Sequence, residues 1–254
     1  MDGLNQENLS KLNAPAAPKR TSVIPREESP HDRRTLNRLL LVLAILLITL
    51  AASLYKGQDI FIFGYIIAIS YALRGPLRLH RPWKELGLKR GFLKDFKRIW
   101  YYFAIDAIIF QILPPTLGVA FVFGYYPDLL HHITGRLSVN FGSLEGISAV
   151  VGLLAAALIL TLMEEIVFRV AVQERLSWFI GTPAAILFAS VIFGLAHAVG
   201  TTGSLPVVLL DIAGVVLDGI FFGIIYAKTH NLAVTWATHY TADVVGLIAI
   251  LLIL

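Results

Sequence analysis

Leu160-Thr161-Leu162-Met163-Glu164-Glu165-Ile166-Val167-Phe168-Arg169-Val170 places two adjacent carboxylates and a guanidinium in a run otherwise apolar enough to cross a membrane. On insertion scales each such charge costs roughly 2.5–3.5 kcal/mol near the centre of a membrane helix, so three of them together demand a function. Arg169 follows Glu165 by four residues, one helical turn, so the two can pair on one face. Glu164 is rotated about 100° from Glu165 and is left without that partner. A purely structural ion pair needs one glutamate, not two. The stretch therefore divides into a bracing pair and one free carboxylate.

The surrounding composition sets the solvent. Hydrophobic residues make up 57% of the 254 and charged residues 15%, with a mean hydropathy of +0.73. Soluble domains hold about half apolar and a quarter charged residues, so both shifts predict an all-α, polytopic membrane protein with its site inside the helix bundle. There is no Cys, which excludes disulfides, thiolate metal sites and a cysteine nucleophile.

Residues 1 to about 36 are polar, with Pro15, Pro18, Pro25 and Pro30 among mixed charges. They cannot bury enough apolar surface to offset the entropy of ordering and are expected to form a disordered cytosolic tail. The first apolar run starts only near Leu39, behind that tail, which is the wrong layout for a cleavable signal peptide. Seven spans are expected, over 39–55, 60–73, 99–126 (kinked at Pro114-Pro115, and carrying Asp106 and Gln111), 147–177, 183–199, 206–228 and 232–254. Residues 127–146, with His131 and His132, are expected to be a polar loop. Residues 83–97 mix aromatics with bases, as a segment lying on an anionic membrane surface would. Spans flank these bases closely on both sides, which argues against nucleic acid as their partner.

Basic residues set the orientation. Seven Lys/Arg precede or include Arg38 and nine more lie between Arg74 and Arg98, two spans apart and so on one side. Arg175 and Lys228 join them, against only Lys56 and Arg136 opposite. The expectation is an integral protein of the plasma (inner) membrane with a cytosolic amino terminus.

Two histidines join the carboxylates. His197 lies in Val191-Ile192-Phe193-Gly194-Leu195-Ala196-His197, read as deep in the fifth span, and His239 in the seventh, with Asp243 one turn on. At 1.5 Å per residue Glu164, His197 and Asp243 sit about 18, 21 and 17 Å from the cytosolic ends of their helices, and His239 about 10 Å. These depths predict a site open to the cytosol. Asp211 and Asp218, seven apart on one face of the sixth span, are expected to line a water path.

Glu164-Glu165-x-x-x-Arg169, Phe193-x-x-x-His197 and His239-x-x-x-Asp243 resemble the three-motif signature of the CAAX-prenyl-protease and bacteriocin-processing (CPBP, or ABI) family of intramembrane proteases. Gly219 to His239, with Gly223, Tyr226, Thr229 and Leu232, is similar to that family's run into its last motif. The resemblance covers about residues 147–247. It marks 147–254 as the catalytic membrane domain, behind an amino-terminal membrane region and basic cytosolic loop at 37–146. It implies that Glu164 and His197 activate the attacking water, that Glu165 and Arg169 hold the helix geometry, and that His239 with Asp243 stabilises the oxyanion or completes a metal site. The implied substrate is a hydrophobic or lipidated peptide or protein met within the bilayer.

Asp243 departs from the Asn that many members carry. An ionised Asp accepts but cannot donate to an oxyanion. Glu164, His197, His239 and Asp243 are also the candidate ligands for a divalent metal such as Zn²⁺, which carboxylates and imidazoles suit. A His-Glu-x-x-His helix is absent from the sequence, and glutamate-based and metal-assisted hydrolysis (a metalloprotease) both stand at this level. Nucleotide-binding Gly motifs are missing, and no Gly-x-Ser-x-Gly marks a serine protease, so no nucleotide or redox cofactor is expected. Two rival functions are a non-catalytic scaffold of the same fold and a proton-coupled transporter using Asp211 and Asp218.

Overall fold

The computed structural model describes residues 33–56, 60–78, 87–88, 91–141 and 147–253. Among them every regular element is helical. Helix α1 (Arg33–Lys56) buries Leu39, Leu43, Leu46 and Leu50, spaced three or four apart, while Leu40, Leu41, Leu47 and Ile48 on its other sides are exposed. An outward face as apolar as the inward one is the mark of a helix bathed in lipid. Arg33 to Leu36, expected in the tail, open this helix; the rest of the tail lies outside the described residues. Helix α2 (Phe61–Arg78) folds back onto α1, and Gly64 lets their backbones approach where a Cβ would strike Thr49 and Leu46.

Most of the basic segment at 79–90 lies outside the described residues, and Phe92 to Lys97 form the first turns of α3 (Phe92–Ile105). The helix widens into a π-helical stretch, Asp106–Ile112, and breaks at Leu113-Pro114 before α4 (Pro115–Val122). The break falls where the sequence places it, because Pro115 carries no N–H for a preceding turn.

Residues 126–141 correct the sequence reading. They form helix α5 (Tyr126–Phe141), not a loop. Pro127 sits in the first turn, where its missing N–H costs nothing, and Leu129 is buried against Ala120 and Val207. Its polar composition reflects a helix lying over the bundle with only a narrow apolar edge.

Helix α6 (Ile147–Glu165) passes directly into a second π-helical stretch, Ile166–Glu174, and then α7 (Arg175–Ile180). Gly181 turns the chain with φ 81°, a conformation that favours glycine, and α8 (Thr182–Ala196) starts at once. Helices α9 (Leu205–Thr229) and α10 (Leu232–Ile253) complete the bundle. The stretches 33–56, 92–122, 150–180 and 205–229 are long and apolar enough to cross a membrane, while 61–74 and 182–196 are shorter apolar helices. The chain is an integral membrane protein, and length with composition supports four of the seven expected spans.

One core joins the two ends of the chain. Leu39, Leu46, Phe61 and Ala68 from α1 and α2 pack in the same cluster as Phe168, Val172, Phe193 and Tyr226. Helices α8 and α9 run antiparallel in close contact because Gly194, Gly219 and Gly223 remove side chains from the seam: a Cβ at Gly194 would meet Val216 and the Ile212 carbonyl. Van der Waals packing of small residues is the main attraction available between helices in lipid. Gly194→Val is therefore expected to cost about 1–3 kcal/mol through overpacking. Thermal unfolding in detergent should show this loss, whereas Gly152→Ala, which adds a Cβ into open space, should show none.

Candidate active site

The end of α6 carries the carboxylates. Glu165 is fully buried, and both of its oxygens are engaged. Arg169 Nε donates to Oε2 at 3.2 Å, and His239 Nδ1, from α10, donates to Oε1 at 2.9 Å. Arg169 also reaches Gln173 Oε1 at 3.4 Å, and Gln173 Nε2 donates to the Gly223 carbonyl at 2.9 Å. A chain of hydrogen bonds thus runs from α10 through the second π stretch to α9. π-Helical stretches often mark functional sites, and here the wider turn begins one residue after the carboxylate pair.

Glu164, one residue earlier, points elsewhere. It lines a cavity of about 580 Å³ and remains partly accessible. His197 Nε2 lies 4.0 Å from its Oε1, and His239 Nε2 lies 3.6 Å from its Oε2. Both separations exceed a hydrogen bond, so neither imidazole consumes the carboxylate.

His197 is not deep within its helix, as the sequence suggested; it caps the C-terminal end of α8. Its Nδ1 donates to the Phe193 carbonyl at 2.8 Å, which fixes the ring and leaves Nε2 facing Glu164. Phe193 packs edge-on against both His197 and His239, and Phe222 stacks on His239 with ring centres 4.3 Å apart. Asp243 Oδ1 lies 3.8 Å from His239 Nε2, and its side chain is 43% exposed within the cavity. Glu164, His197, His239 and Asp243 therefore meet at one cavity wall, while Glu165 and Arg169 lie behind it.

Among the described residues no group of three or more His, Asp or Glu side chains is disposed to hold an ion. Nδ1 of each histidine donates to an oxygen, of Glu165 or of the Phe193 backbone, which orients the ring and leaves Nε2 towards Glu164.

Three features escaped the sequence reading. Gln173 continues the four-residue ladder Glu165–Arg169–Gln173, a signal that was present. Phe222 stacks on His239 with nothing in its spacing to announce it. Arg136 and His132, both on α5, hold Asp211 at 2.8 and 3.2 Å, and His132 Nδ1 donates to the Thr202 carbonyl at 2.8 Å. Asp211 lines the cavity, yet it is engaged by two partners; Asp218 lines it too, and its Oδ1 has no hydrogen-bond partner among the described residues.

The cavity's direction sets two expectations against each other. On α2, the first π-helical stretch, α8, α9 and α10 its lining residues occupy mid-depth and the half remote from Arg33, Phe92, Gly181 and Thr229. A cytosolic amino terminus and a site opening to the cytosol cannot both hold with this geometry.

Residues 146–245 match the family model described as type II CAAX prenyl endopeptidase Rce1-like, the stretch that carries all three motifs. No curated protein and no solved structure matches the chain.

The buried pair is expected to be structural. Arg169→Met leaves the Glu165 carboxylate buried without its guanidinium, a loss of about 3–5 kcal/mol. Glu164→Gln, facing the cavity, should unfold in detergent at the wild-type temperature. Equal destabilisation by the two variants would contradict the division of the glutamates.

Proposed function

We propose, from the premise that residues 146–245 form an Rce1-like domain, that this integral membrane protein is an intramembrane endopeptidase. In this reading water activated by Glu164 and His197 cleaves a peptide bond in a hydrophobic or lipidated substrate. The observation that carries it is the contrast within the glutamate pair: Glu165 has both oxygens bonded behind the wall, whereas Glu164 faces the cavity with two imidazole nitrogens nearby but none bonded to it.

The chemistry follows from these positions. Glu164 accepts a proton from water, and the resulting hydroxide attacks the scissile carbonyl carbon. His197, oriented through Nδ1 by the Phe193 carbonyl, presents Nε2 beside Glu164 to position that water. The carbonyl oxygen gains the negative charge and needs a donor aimed at it. His239 in its imidazolium form supplies one: Nδ1 donates to Glu165, and Nε2–H points into the cavity between Glu164 and Asp243. Asp243 then orients and charges His239 rather than contacting the oxyanion, which accommodates an acceptor where the family often has an amide. Collapse of the tetrahedral intermediate breaks the C–N bond, and the proton held by Glu164 passes to the departing amine.

The amino terminus is cytosolic in this reading, and the membrane is the plasma (inner) membrane, because the tail and the segment 74–98 hold most of the basic residues. Glu164→Ala and His197→Ala should each lower cleavage by about 10²–10⁴-fold, the range for losing general-base assistance, while inserting normally. Purified protein in lipid vesicles with fluorogenic hydrophobic and isoprenylated peptides gives the readout. Undiminished cleavage in both variants would remove the mechanism.

A further inference from the structure

We propose that the catalytic cavity is filled from the non-cytosolic side of the membrane, so that its substrates are polypeptides exported to that side or anchored in its leaflet. Two independent features point the same way. Lys and Arg are concentrated in two sequence segments, seven up to Arg38 and nine from Arg74 to Arg98, and such segments are retained in the cytosol; among the described residues Arg33, Arg74 and Lys94 mark that end of the bundle. The cavity occupies the other end. From Glu164 and His239 near mid-depth it extends past Gln111 of the first π stretch, along the end of α8 to Val199 in the turn beyond it, and along α9 to Asp211.

The opposite direction is sealed. Between the site and the basic end lie Phe168, Arg169, Gln173 and Tyr226, all buried, with the Arg169–Gln173–Gly223 bonds crossing behind the catalytic wall. Towards the other end the cavity presents Arg136 and Asp211, a charged pair that wets its wall. Water and substrate therefore have a polar route from the end that carries few bases.

The substrate part of this proposal rests on the hydrolase reading. The side of access does not, because it follows from charge placement and cavity position alone. The chain has no cysteine, so single cysteines can be placed without removing any. Ser204, between α8 and α9, is exposed at the cavity end; Thr182, at the start of α8, is exposed at the basic end; and Leu154 lines the cavity. Full-length Ser204→Cys, Thr182→Cys and Leu154→Cys variants are expressed in a bacterial host. Spheroplasts are treated with a membrane-impermeant maleimide before and after permeabilisation.

Ser204→Cys and Leu154→Cys are expected to label as fully before permeabilisation as after it, and Thr182→Cys only after. The reverse pattern, or labelling of both ends in intact spheroplasts, overturns the proposal. Should Leu154→Cys fail to accumulate, the Ser204 and Thr182 pair decides the side alone. The expected labelling combined with wild-type peptidase activity in Glu164→Ala would remove the mechanism and leave the side of access standing.

Discussion

Everything at the site depends on one buried carboxylate with two partners. Glu165 accepts from Arg169 on its own helix and from His239, 74 residues away on α10. In a water-free environment each of these charge-assisted bonds is stronger than it would be in solution, and no solvent competes for either oxygen. The pair of bonds fixes the rotation of α6 about its axis and the distance to α10 at once. Because Glu164 is the adjacent residue, holding Glu165 inward turns Glu164 towards the cavity. The orientation of Glu164 is thus set by a residue that faces away from the cavity.

The close approach of α9 makes this arrangement possible. Gln173, which carries the bond network onward from Arg169, ends on the Gly223 carbonyl, and a Cβ at Gly223 would collide with the Gln173 amide oxygen. The same glycine faces Ile186 of α8, so one missing side chain admits both the packing and the hydrogen bond. Phe193 and Phe222 then wall in His239 from two sides, excluding lipid from a ring whose nitrogens must stay polar.

Much of this architecture was legible in the sequence because membrane helices are written in long apolar runs. The Pro114-Pro115 break, the i,i+4 spacing of Glu165 and Arg169 and the three ordered motifs all act locally, within a turn or two of their residues. What stayed hidden acts across helices or against composition. Helix α5 reads as a loop because, among its described side chains, it buries little more than Leu129 and His132. The Glu165–His239 bond joins segments whose register no spacing reveals. His197 was placed too deep because a helix end inside an apolar run carries no breaking residue; α8 ends at Ala196, and the Gly200 that could signal a stop comes four residues later. Which half of the bundle is hollow stayed hidden for a related reason: depth along each helix was countable, but the hollow depends on side chains from six or more elements.

The early end of α8 has a consequence for the membrane itself. At 1.5 Å per residue its fifteen residues rise about 22 Å, short of the ~30 Å hydrocarbon layer. The turn that follows His197, with the N–H groups of residues 197, 198, 199 and 201 each bonded to a carbonyl three residues back, lies at the end of α8 that lines the cavity. A helix this short matches a bilayer of ordinary thickness only where the lipid thins around it or flanking residues reach the interface. In such a bilayer the surrounding lipid would form an adjustable wall of the cavity, its acyl-chain length acting beside the side chains on how far water descends.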